Sequence, residues 1–116
     1  MKIKVLKSKI HNALVTNHNL DYDGSIGIDS ELIRAAHLSL YEKVHLLNID
    51  NGERLETYVI EGESGSKEIC IYGAAAHQIQ TGQRIIILSY ATIFKNEAEN
   101  HTPKVVYLDK NNTILD

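Results

Sequence analysis

Cys70 is the only cysteine in the 116 residues, so the chain can close no disulfide within itself and build no CxxC metal knuckle. Tryptophan is absent and the aromatics are six tyrosines and one phenylalanine. With 43% of the chain apolar, the core must be made of Ile, Leu, Val and Ala. The single proline, Pro103, leaves no proline-rich linker. The formal charge is -3 and no basic stripe with interleaved aromatics appears, which argues against nucleic acid as a main partner. The longest apolar run, "IIILSYATIF", falls short of the about 20 apolar residues that cross a bilayer. The first residues, "MKIKVLKSKI", alternate Lys with apolar side chains where a signal peptide needs a continuous apolar segment. A soluble, cytoplasmic chain with no membrane partner is the default these absences leave. The six histidines are scattered with no HxH or HExxH spacing, no Walker loop or GxGxxG is present, and "GESGSK" lacks phosphate-loop spacing. No metal site is expected.

What is present is a series of short strands. "KIKVLK" has period two, the pattern of a half-buried strand. Ile26 and Ile28 continue as a strand, and Asp29 or Ser30 can cap a short helix through "ELIRAAHL". "EKVHLLNID" and "ERLETYVIEG" flank Asn51-Gly52, a pair suited to positive φ at both central positions of a type I′ turn, so this is the clearest hairpin. "EICIY" is a short strand, "GAAAHQ" a helical turn of small residues, "RIIILSYATI" a long buried strand and "KVVYL" a last one, after the charged loop "KNEAENHT". No repeat or linker interrupts this, so residues 1-116 form a single domain. The fold class is mainly β, with one or two short helices, and turn signals this frequent suggest a small closed barrel. A core of this size makes oligomerisation a reasonable expectation.

Four groups of residues can carry chemistry. In "LDYDGSIGID", the Ser25 hydroxyl can attack the carbonyl of Gly24, a residue free to take unusual φ/ψ, and exchange the amide for an ester. Elimination would leave dehydroalanine at position 25, and hydrolysis a pyruvoyl group. Most Gly-Ser pairs are turns and nothing more, and the local sequence permits this route without requiring it. In "ERLETYVI", Arg54 and Tyr58 share one face of a strand and Thr57 takes the other. Their plainer reading is an exposed Arg, a strand-favouring Thr and a half-buried Tyr. In "YGAAAH", small residues let backbone amides approach a ligand, or simply pack closely. Lys9 and His11 share one face of an extended stretch, which can equally be a solvated edge.

Together, "SKIHNALVT", "LDYDGSIGID", "NGERLETYVI", "GSKEICIYGAAAH", "GQRIIILSYA" and the Pro103 segment resemble the pyruvoyl-dependent aspartate 1-decarboxylases, from Lys9 to about Tyr107 and in the family's order and spacing. The resemblance implies a double-psi β-barrel and a homotetramer with active sites between neighbouring subunits. It implies self-cleavage between Gly24 and Ser25 into a short β chain, 1-24, and a long α chain, 25-116. Ser25 would become the covalent pyruvoyl cofactor and form a Schiff base with L-aspartate, which loses carbon dioxide to give β-alanine for pantothenate and coenzyme A biosynthesis.

The family's roles map residue by residue. Tyr58 would be the proton donor, and a phenol with an ordinary pKa near ~10 is protonated at neutral pH. Thr57 would serve self-processing as oxyanion donor, alongside Gly24 and Ser25, and would also bind substrate. Arg54 and Lys9 would hold carboxylates, and Gly73, Ala74 and Ala75 would line the pocket. His11 and Tyr22 would stand nearby. Tyr72 departs from the family, many of whose members have asparagine before "GAAAH". Two rival readings leave Gly24-Ser25 uncut: a β-barrel binding or assembly module, and a family member retained only as a scaffold.

Overall fold

A computed structural model describes residues 1–116. Its elements follow the expected order. They are β1 (Lys2–Leu14), β2 (Asn17–Asn19), β3 (Ser25–Asp29), α1 (Ser30–Ala35), β4 (Lys43–Asn48), β5 (Arg54–Gly62), β6 (Ile69–Tyr72), β7 (Arg84–Phe94) and β8 (Lys104–Tyr107). Short 3-10 segments cover Gly73–His77 and Lys95–Asn100, the second lying within what the sequence presents as a charged loop. The domain is mainly β with short helices, as the sequence indicates.

The strands hydrogen-bond in the order β2-β6-β3-β5-β4-β7-β1-β8. β1 and β2 stand near opposite ends of that order, yet only Val15 and Thr16 separate them in the chain. The sheet therefore curls until its ends meet. The two connecting residues tie them: the Val15 amide donates to the Gln83 carbonyl and the Thr16 amide to the Ile69 carbonyl, both at 2.9 Å.

The core is a single cluster that includes Ile10, Ile26, Ile28, Val44, Leu46, Val59, Ile69, Ile71, Ile85 and Ile87. Each such side chain contributes about 1.5–3 kcal/mol on burial. Buried Asp29 caps α1 by accepting the Glu31 amide at 2.9 Å, and it also accepts the amides of Gly65 and Lys67. One carboxylate thus fixes the end of β3, the start of the helix and the turn before β6. Buried Asn112 accepts the Leu14 amide and donates to the carbonyls of Leu14 and Lys67, fastening the C-terminal segment across the barrel end.

The hairpin joins β4 and β5, but it does not close by a type I′ turn. The Asn48 amide donates to the Glu53 carbonyl, leaving residues 49–52 as a four-residue loop. Gly52 alone of the Asn-Gly pair has positive φ, at 76°. The Asn48 side chain accepts the Asp50 amide, and that Asx turn opens the loop earlier than the Asn-Gly signal suggests.

β5 is the hinge of the arrangement. Its first half, Arg54–Tyr58, pairs antiparallel with β4, and its second half, Val59–Gly62, runs parallel to β3. The change of partner falls between Tyr58 and Val59, beside the start of β3.

Candidate active site

β3 lies between β5 and β6, with Ser25 opposite Tyr72 and Ile26 opposite Val59. Extending the β3–β5 register back by one residue sets Ser25 level with Tyr58, and by two sets Gly24 level with Thr57. Residues level across a sheet share a face, so Ser25, Tyr58 and Tyr72 converge. They line a surface pocket of about 420 Å³ together with Tyr22, Asp23 and Ile60. A larger groove of about 930 Å³ runs over Met1, Phe94, Lys95, Asn96, Glu97 and Glu99, but no serine, threonine, cysteine or tyrosine lines it. Chemistry rather than volume selects the smaller pocket.

Ser25 is 3% exposed, whereas Asp23 and Gly24 before it are exposed. The scissile candidate thus sits where the chain passes from solvent into the sheet. The Ser25 hydroxyl donates to the Asp23 carbonyl at 3.1 Å, so it is held back over the turn that contains Gly24. Gly73 presses on that turn from the other side. Its φ is +77°, and a Cβ there would stand 2.7 Å from both N and Cα of Gly24 and 2.9 Å from the Tyr22 carbonyl oxygen. Glycine meets both demands, the left-handed backbone and the close approach. Ala74 and Ala75 continue the 3-10 segment, the first exposed and the second packed against the core.

Tyr58 is 36% exposed at the pocket, and its ring lies 6.4 Å from that of exposed Tyr41. Thr57 takes the opposite face of β5, paired with buried Val44, as strand parity requires. Tyr72 is half-buried. Burial and the neighbouring Cys70 thiol push its phenol up to about 12, so it is neutral at any working pH.

The cationic residues stand apart from this pocket. Arg54 reaches Tyr90, donating to its hydroxyl at 3.4 Å. The nearby carboxylate, Glu56, is already engaged by Lys43 at 3.0 Å and His45 at 3.2 Å, and Lys43 above all holds it below the ordinary carboxylate range. Arg54 therefore has no carboxylate partner in its own chain. Lys9 likewise has none, and lies half-buried on β1 between Leu88 of β7 and Val105 of β8. His11, two residues on, packs edge-on against Tyr107 with ring centres 5.6 Å apart. Within one chain, then, Ser25, Gly24, Tyr58, Tyr72, Tyr22 and Gly73 come together, while Lys9, His11 and Arg54 lie outside the pocket wall.

Sequence reasoning passed over Asp23, Ile60 and Tyr41. Ile60 had a signal, since it shares parity with Tyr58. Tyr41 had none: it stands at φ 66° just before β4, does not line the pocket, and meets the site only through its ring contact with Tyr58.

A profile described as aspartate decarboxylase matches residues 1–115. A curated aspartate 1-decarboxylase of Clostridium kluyveri is 54% identical over 115 residues, covering 99% of this chain and 91% of that protein. One from Caldicellulosiruptor saccharolyticus is also 54% identical, at 99% and 90% coverage, and one from Aliarcobacter butzleri is 48% identical, at 98% and 90%. Among solved structures, the crystal structure of the computationally designed msDPBB_sym2 protein matches with a TM-score of 0.45 at 13% identity, covering 73% of this chain and 96% of that one. Sequence match over essentially the whole length shows that this chain belongs to the aspartate decarboxylase family.

Proposed function

We propose that the protein cuts itself between Gly24 and Ser25 and then decarboxylates L-aspartate to β-alanine and carbon dioxide, as a step of pantothenate biosynthesis. The observation that carries this reading is the placement of buried Ser25 beside Tyr58 in one pocket, with Gly73 pressed against Gly24, the residue that precedes the bond to be cut.

Self-cleavage begins at the Ser25 hydroxyl. Its oxygen attacks the Gly24 carbonyl, the amide C–N bond breaks and an ester forms, the amide nitrogen taking up a proton. Thr57, level with Gly24, is the donor for the oxyanion. Elimination then frees the Gly24 carboxylate, and water releases ammonia from the dehydroalanine. The residues present fit the resulting pyruvoyl group. Position 25 is buried at a pocket wall, and the missing Cβ of Gly73 leaves the backbone around it closely cradled. When formed, that group supplies an electron sink for loss of the α-carboxylate.

The remaining work belongs to side chains of this protein. Tyr58 delivers a proton to the substrate carbon once carbon dioxide has left. Arg54 and Lys9, free of carboxylate partners in their own chain, hold the carboxylates of aspartate. Their position outside the Ser25 pocket of the same chain supports a homotetramer whose sites form between neighbouring subunits.

The test is release of carbon dioxide and β-alanine from L-aspartate by wild type and by Ser25→Ala. Turnover by wild type alone is expected. Equal turnover by Ser25→Ala would overturn the reading.

A further inference from the structure

Tyr72 is joined to the cleavage site by its ring. Gly27 is the next residue of β3 on the same face as Ser25, and it has no side chain to occupy that face. The Tyr72 ring fills the space: its Cε2 would stand 3.1 Å from a Cβ at Gly27, and its hydroxyl 3.7 Å. The phenol end is thereby carried past Ser25 toward Cys70, which pairs with Gly27 across the ladder. The ring also meets that of Tyr22 edge-on, with centres 5.2 Å apart and planes at 77°. Tyr22 is otherwise 63% exposed, and this ring pair is an aromatic contact that ties its side chain to the sheet. Tyr22 also begins the three residues that end at the scissile Gly24, and its carbonyl is one of the atoms packed on Gly73.

We propose that Tyr72 is a positioning residue for self-cleavage, acting through its ring, which is seated over Gly27 and clasps Tyr22 so that the 22–24 segment is held against Gly73. This rests on the reading that the Gly24–Ser25 bond is cut. The hydroxyl, turned toward Cys70, takes no part. An edge-to-face pair of this kind corresponds to a rate effect of roughly three- to tenfold if it is made in full only when the segment is correctly placed.

The experiment follows cleavage of freshly translated full chain by denaturing mass spectrometry, for wild type, Tyr72→Phe, Tyr72→Leu, Tyr22→Leu and the double Leu variant. Tyr72→Phe, which keeps the ring, should follow the wild-type time course. Each Leu variant should be slowed roughly three- to tenfold. The double variant should be no slower than the singles, since either change alone breaks the pair. Equal slowing of Tyr72→Phe and Tyr72→Leu would assign the effect to the hydroxyl and overturn the proposal. So would wild-type rates in both Leu variants, or effects that multiply. Thermal unfolding in an uncut Ser25→Ala background separates positioning from structure. Loss of the folded state with Tyr72→Leu, together with an unslowed Tyr22→Leu, would make the ring a structural element only. A wild-type chain that never cleaves would sink the cleavage reading itself, a result seen before any variant is compared.

Discussion

Gly73 lies against Gly24 so closely that a single methyl group on it would overlap the backbone of the residue before the bond to be cut: 2.7 Å to the Gly24 nitrogen and 2.7 Å to its Cα. The small-residue segment after β6 thus packs on the turn before Ser25 through Gly73, while none of Gly73, Ala74 and Ala75 is among the residues that line the Ser25 pocket. Gly73→Ala meets this overlap and also a φ of +77°, where L side chains are strained by about 1–2 kcal/mol. Self-cleavage should slow about tenfold or more. Fragment yield against time by denaturing gel measures it, and wild-type yield would show that the contact carries no weight.

Tyr58 and Ser25 share a pocket, but the attack of Ser25 on Gly24 uses no carbon acid. Tyr58→Phe should therefore yield both fragments normally and lose turnover by about a hundredfold or more. Quantifying β-alanine from fully cleaved variant protein checks this. Undiminished turnover would remove Tyr58 from proton delivery.

A pH-dependent contribution to stability is expected away from the site, at Glu42. Burial raises its pKa, but the Ser89 hydroxyl, the Ser39 amide and the Lys7 ammonium at 3.1 Å more than offset this, leaving it below the ordinary carboxylate value of 4.5. The unfolded chain therefore takes up the proton first as pH falls, and the stabilisation present above about pH 4.5 is lost as pH drops through the folded pKa. Ser89→Ala should lower the unfolding midpoint by roughly 4 °C at neutral pH, with the gap to wild type closing in acid. A gap that stays constant across that range would place the effect of Ser89 elsewhere.

Local chemistry made much of the fold legible. Asp29 or Ser30 reads as a helix cap and Asp29 is the one, because a cap depends on residues two or three apart. Arg54 and Tyr58 on one face, with Thr57 on the other, followed from strand parity alone. The Asn51-Gly52 hairpin was visible, but its closure by Asn48 and Glu53 was not, since the deciding bond is the side chain of Asn48 on Asp50. The site was legible only through the family resemblance. Ser25 meets Tyr72 through the β3–β6 pairing, and a contact between residues so distant in the chain leaves no periodic trace. The seating of Tyr72 over Gly27 has the same origin. The residues that lie outside the pocket in one chain, Lys9, His11 and Arg54, are those for which parity could supply a face but no partner.

Intact mass under denaturing conditions is the most direct test of self-cleavage at Gly24–Ser25. Two fragments are expected, residues 1–24 ending in a free Gly24 carboxylate and residues 25–116 blocked at the amino terminus by a pyruvoyl group, with Ser25→Ala leaving one uncut chain. Fully matured wild-type protein that remains a single chain with an unmodified Ser25 would contradict it.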